Sequence, residues 1–200
     1  MLSYEFTVAV MVFEAALLSA LILGPRYLSA FASRKICHGF SGACMILIGS
    51  DRLIGRLFVY AVTVVSLVMT WKVFPGIPTI WFGSTRDPGI TIYLLVVALW
   101  FYMQLPVGVL GPVFFADPAG AVVGRYMSKH HKRINPRWIG DKTVLGSLAV
   151  FIATLLSASV HSQTASLLVA ITATLGEAIG GSFDNLLIAV TVIISYSLSL

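Results

Sequence analysis

Apolar residues run through the chain in long, nearly unbroken stretches, and short polar segments between them hold most of the charges. A helix needs roughly 20 mostly apolar residues to cross a bilayer, so these stretches read as spans. The first covers Tyr4 to Leu23, with Glu14 in its middle, and Gly24-Pro25 ends it because proline cannot continue the hydrogen-bond ladder. Arg26 to Lys35 reads as an interfacial piece. Further spans are expected over about 36–49, 57–74 and 90–104. Pro106 then breaks the pattern, and a fifth apolar run leads to Asp117. A sixth span covers about 144–160, a seventh 164–179, and the last opens at Asp184-Asn185 after Gly180-Gly181. The expected fold is all-α: a polytopic integral membrane protein of about seven to eight transmembrane helices, with residues 1–200 forming one transmembrane domain.

Composition supports that pattern and narrows it. The chain is 58% hydrophobic and 10% charged, with a mean hydropathy of +0.94, too little polar residue to cover a soluble domain. Cys37 and Cys44 are seven apart on one apparent helix, too far to bridge, and read as buried thiols. Glu5 precedes any basic residue, so the first apolar run reads as a retained helix and not a signal peptide. Charge is concentrated in one loop, about 125–142. It holds Arg125, Lys129, Lys132, Arg133, Arg137 and Lys142 against Asp141 alone, a balance equal to the +5 of the whole chain. The positive-inside rule puts this loop in the cytoplasm. Alternating the spans then brings Arg34, Lys35, Arg86, Asp87, Asp117, Glu177 and Asp184 to the same face and His161 to the opposite one.

Four constellations stand out. Arg34, His38 and Gly42 recur every four residues, next to Lys35, so a cation, an imidazole and a small residue share a helix face. For Arg34 and Lys35 alone, snorkelling at a helix end is the better account, and His38 just inside the membrane, where it needs a polar partner, shifts the balance towards a site. Asp117 precedes a stripe of Gly120, Ala121, Gly124 and Ser128. Close helix packing accounts for the glycines but not for the aspartate. The basic loop suits polyphosphate, anionic lipid or topology alone. Glu177 with Asp184-Asn185 supplies the oxygen donors that magnesium takes. A carboxylate, a small-residue face and a positive loop at one water boundary suggest a site for a metal-bound polyphosphate.

These pieces resemble the CTP-dependent polyprenol kinase family, which includes phytol kinase, dolichol kinase and CTP-using diacylglycerol kinases. The resemblance covers about Ser33 to Asn185 and rests on SRKICHGFSG, RDPGITIY, ADPAGAVVGRYMSK, DKTVLGS and GEAIGGSFDNL, in that order. The middle block is also similar to phosphatidate cytidylyltransferases, but their Lys-Asp and His-Gly-Gly-x-x-Asp-Arg tail is absent here. Two positions depart from the kinase pattern. Ala116-Asp117 stands where the family usually has Gly-Asp, and Leu145 stands where it has Glu in Lys-x-x-Glu-Gly.

The resemblance implies a membrane lipid kinase that transfers a phosphoryl group from CTP, or another nucleotide, to an isoprenoid or glyceride alcohol such as phytol, dolichol or diacylglycerol. It implies Mg2+ or another divalent cation, with Asp117, Glu177, Asp184 and Asn185 as metal ligands. Arg34, Lys35, Gly120, Gly124, Lys129, Lys142 and Gly146 would hold nucleotide and phosphate, and His38 or Asp117 would take the alcohol proton. The expected partners are the lipid alcohol, the nucleotide and the bilayer, with no nucleic acid, and self-association stays open. The site is expected on the cytoplasmic face of a multi-pass protein. The rival readings are a cytidylyltransferase-like enzyme, a transporter using Glu14, His38 and Glu177 as a polar pathway, and a non-catalytic membrane protein.

Overall fold

The computed structural model describes residues 3–159 and 162–198, apart from the side chain of Ser182. His161, expected opposite the basic loop, lies outside the described residues. The described chain forms eight α-helices and one small sheet, in two compact units, 1–107 and 108–200.

The first unit holds α1 (Tyr4–Leu23), α2 (Ala30–Ile48), α3 (Leu53–Trp71) and α4 (Pro88–Tyr102). Side-chain oxygens set three of their starts by accepting backbone N–H groups that a helix leaves unpaired. Ser3 caps α1 through Phe6, Ser29 caps α2 through Ala32, and Asp87 caps α4 through Ile90 with Pro88 at the first helical position. The Ser29 cap starts α2 six residues before the expected span, so Arg34 and Lys35 sit on the helix and not in an interfacial segment. α1 packs on α2 and α3 on α4. Glu14 is fully buried on α1, as its place in an apolar span requires. Met69, Ile80 and Phe82 form a local core with Leu21, Ile22 and Trp81. Both cysteines are free thiols.

The second unit holds α5 (Gly111–His130), α6 (Val144–Ser157), α7 (Gln163–Gly180) and α8 (Asp184–Ser197). A 3-10 turn over Val107–Leu110 leads into α5, and another over Gly181–Phe183 separates α7 from α8 where Gly180-Gly181 was expected to break the chain. The unit's core includes Val113, Phe114, Ala116, Val150, Ala170, Ala173 and Ile188, all essentially inaccessible. The most extensive packing is α5 on α6, followed by α7 on α8. α5 continues to His130, so Arg125 and Lys129 are helical and the loop proper is shorter than the 125–142 expected. That loop is not free coil. It carries an antiparallel hairpin of β1 (Arg137–Ile139) and β2 (Lys142–Thr143), a departure from an all-α fold. Gly140 turns the hairpin at φ 54°, a left-handed conformation that glycine adopts without strain.

Among the described residues, three helical stretches are long and apolar enough to cross a membrane: Tyr4–Leu23, Leu53–Trp71 and Val107–His130. α4, α6 and α8 are apolar but have 15, 14 and 14 residues.

Candidate functional site

The second unit encloses a cavity of about 910 Å3 against the start of α6. The small-residue stripe of α5 lines it, together with Gly146 and Ser147 of α6. The two backbones meet there. A Cβ on Gly120 would collide with Val150 Cγ2 and lie 3.2 Å from the Gly146 carbonyl oxygen. A Cβ on Gly146 would lie 3.1 Å from the Gly120 carbonyl oxygen and 3.2 Å from Gly124 Cα. Helix packing therefore accounts for these glycines, as it does in membrane proteins generally.

The rim is charged. Arg125, Lys132, Arg137 and Lys142 line the cavity, against Asp141 and Glu177. Four cations facing two carboxylates favour an anionic occupant. Lys129, expected to bind phosphate, is exposed and is not among the lining residues. It lies one position past Ser128, about 100° further round the helix. Leu145 is also absent from the lining, although Lys142, Thr143, Gly146 and Ser147 around it all contribute.

Side chains that the sequence pattern did not single out hold this rim in place. Asn135 is buried, donates through Nδ2 to the Gly124 carbonyl at 3.2 Å and Ser128 Oγ at 3.0 Å, and accepts the Leu145 N–H at 2.9 Å. It thereby ties the end of α5 to the start of α6. Thr143 Oγ1 caps α6 by accepting the Gly146 N–H at 3.3 Å. Trp138 Nε1 donates to Ser147 Oγ at 3.0 Å and braces the hairpin on α6. The Asn135-Pro136 dipeptide marks a turn in the sequence, but nothing in it reveals three bonds to two helices.

Lys142 is the junction of the site. Its Nζ donates to Glu177 Oε1 and, at 3.4 Å, to Asp184 Oδ2. Burial pulls the Lys142 ammonium towards neutrality. The Glu177 hydrogen bond and the charges of Glu177, Asp184 and Asp117 outweigh burial and hold it above its usual value. Asp117 is buried on α5, near enough for its charge to act on Lys142. Among the described residues, no three His, Cys, Asp or Glu side chains form a metal-holding group. Asp117, Glu177 and Asp184 thus make no ready-made ligand cluster, and an ammonium joins the last two. Two oxygens nevertheless suit a hard cation: Glu177 Oε2 and Asn185 Oδ1 are buried and lack hydrogen-bond partners. These oxygens, with the Asp184 carboxylate, are of the chemical type that a hard divalent ion takes.

The remaining expected site residues belong to the first unit. Arg34 grips Asp87 through both nitrogens, Nη1 to Oδ2 at 2.6 Å and Nη2 to Oδ1 at 3.1 Å. Burial would raise the Asp87 carboxyl. The Arg34 bonds, with the Ile90 and Ser84 N–H groups, reverse this and hold it well below the usual carboxylate range. Arg34, expected on phosphate, is thus engaged with a helix cap. The His38 ring meets Tyr93 edge-on at 4.4 Å, and Lys35 is half-buried on the same helix. In comparisons with family models, curated proteins and solved structures, nothing matches this chain.

Proposed function

We propose that the protein is a multi-pass membrane lipid kinase whose nucleotide site is the cavity of the second unit. The observation that carries this reading is the lining of the cavity, where Gly120, Gly124 and Gly146 stand with Arg125, Lys132, Arg137 and Lys142 and with Glu177, whose Oε2 is buried and unpartnered. Phosphoryl transfer asks a protein mainly for positioning and charge neutralisation, which such a rim supplies. The donor is CTP or another nucleoside triphosphate, and the acceptor is an isoprenoid or glyceride alcohol. The alcohol oxygen bonds to the γ-phosphorus, the bond to the bridging oxygen breaks, and the nucleoside diphosphate leaves. Asp117 accepts the alcohol proton. Arg125, Lys132, Arg137 and Lys142 hold the phosphates, and Glu177, Asp184 and Asn185 would hold the divalent ion. When bound, that ion would offset charge on the β- and γ-phosphates.

The shorter helices cross the membrane as well in this reading. A 14-residue helix is about 21 Å long at 1.5 Å per residue, so flanking coil completes each crossing. Leu148, Ile152 and Leu156 on α6, and Val190 and Ile194 on α8, are exposed apolar side chains that suit a lipid environment. The basic hairpin then faces the cytoplasm.

The test is incubation of the purified chain with γ-labelled CTP, magnesium and a panel of lipid alcohols. Label is expected to move to a lipid product with release of CDP, and Asp117→Asn is expected to abolish transfer in a protein that remains folded in detergent. Release of pyrophosphate with phosphatidate would instead identify a cytidylyltransferase. No nucleotide binding at all would remove the enzymatic reading.

A further inference from the structure

We infer that Lys142 is a placeholder, holding the place of the divalent cation between Glu177 and Asp184 and moving to the phosphates when cation and polyphosphate bind together. The inference rests on the cation reading proposed above, and is independent of which alcohol is the acceptor.

The bonding around Lys142 is incomplete in a way that a larger charge would complete. The ammonium is close to Glu177 Oε1 but reaches Asp184 only at 3.4 Å. Glu177 Oε2, on the same carboxylate, stays buried and unpartnered, as does Asn185 Oδ1 on the residue after Asp184. An ammonium is a compact charge with three donors. A hard divalent cation takes six or more oxygens and shorter distances. Lys142 contacts one oxygen of Glu177 and one of Asp184, and it leaves Glu177 Oε2 without a partner.

Lys142 also has somewhere to go. It stands on a two-residue strand and lines the same cavity as Arg125, Lys132 and Arg137. Its side chain is one-fifth exposed, whereas that of Glu177 is 6% exposed. The lysine is therefore the partner with the more open surroundings.

Neither half of the exchange is favourable alone. A bare cation would sit beside the ammonium on the same carboxylates, and like charges repel. A bare polyphosphate that drew Lys142 away would leave Glu177 buried without a counter-charge, which is strongly unfavourable. When both bind, every charge keeps an opposite partner. Cation and polyphosphate binding are therefore coupled, and the coupling is reciprocal.

The test uses the purified chain in detergent with Mn2+ as the probe, its free concentration read by electron paramagnetic resonance. Lys142→Met keeps the length of the side chain and removes its charge. It is expected to bind bare Mn2+ at least about ten-fold more tightly than wild type. Lys129→Ala is expected to match wild type. In wild type, acylation of Lys142 by an amine reagent, read by mass spectrometry, is expected to rise several-fold with saturating Mn2+ and to fall again with Mn2+ and CTP. Mn2+ binding to Lys142→Met no tighter than to wild type would overturn the inference. Should that variant not fold, an acylation rate in wild type indifferent to Mn2+ would overturn it equally. If neither wild type nor Lys142→Met binds Mn2+, with or without CTP, the cation reading itself fails.

Discussion

Asn135 holds Leu145 by its backbone, its Oδ1 accepting the Leu145 N–H at 2.9 Å while its Nδ2 reaches the Gly124 carbonyl. One buried amide thus joins the end of α5 to the first turn of α6. Asn135→Ala leaves buried donors and acceptors without partners, at a cost of about 1–3 kcal/mol. Thermal unfolding in detergent is expected to show that loss. Asn135→Asp keeps the acceptor but removes the donor to Gly124 and Ser128, and is also expected to destabilise. An unchanged midpoint for Asn135→Ala would mean that the hairpin is not fastened here.

The Arg34–Asp87 pair makes a pH-dependent contribution of known sign. The Asp87 carboxyl titrates lower in the folded chain than in the unfolded one. Its stabilisation is present above the unfolded value of about 3.9 and is lost as pH falls from there towards the folded value. Between neutral pH and about 5 the pair is expected to contribute a constant amount. Asp87→Asn should lack the acid-side loss seen in wild type when unfolding is followed from pH 6 down to pH 3. Parallel acid profiles for the two proteins would contradict this assignment.

The rim distinguishes cations that the primary structure makes look equivalent. Arg137 lines the cavity and Lys129 does not. Arg137→Ala is expected to weaken CTP binding by about ten-fold, the scale of one charge-assisted hydrogen bond. Lys129→Ala is expected to leave CTP affinity within two-fold of wild type, measured by equilibrium dialysis at fixed salt. Equal losses from the two variants would place the nucleotide elsewhere.

Gly120 should tolerate no side chain. Its Cβ would strike Val150 and press on the Gly146 carbonyl, so Gly120→Ala must push α5 and α6 apart. A cost of about 1–3 kcal/mol is expected, as for other overpacked sites. Gly39→Ala is the control, since nothing lies within 4 Å of a Cβ there. Equal melting temperatures for the two variants would show that the helices part easily.

Apolar runs revealed most of the helices because their signal is local. α1 begins and ends where Ser3 and Gly24-Pro25 place it, and Gly180-Gly181 separates α7 from α8 as expected. The glycine spacing of α5 was also readable, because contact every third or fourth residue is a property of one helix. The hairpin was not readable. Three residues paired with two show no alternation, and their cations resemble a solvated loop. Arg34 and Asp87 are 53 positions apart, and Lys142 and Glu177 are 35 apart. Such pairings depend on how helices are arranged, which no local period records. The same limit explains why Lys129 was selected and Asn135 was not. Charge is visible in a sequence, but burial of an amide between two helices is not.

The glycines at the contact of α5 and α6 set what can vary in this protein. Cβ atoms on Gly120 and Gly146 would lie 3.2 and 3.1 Å from the carbonyl oxygen of the other, so neither position can take a side chain without disturbing the facing helix. Asn135 and Trp138 are held as well, because each fastens the connecting segment to a helix. Change in what the cavity accepts is left to lining side chains that fasten neither helix, such as Lys132 and Arg137, and variants selected for altered ligand preference should cluster at such positions.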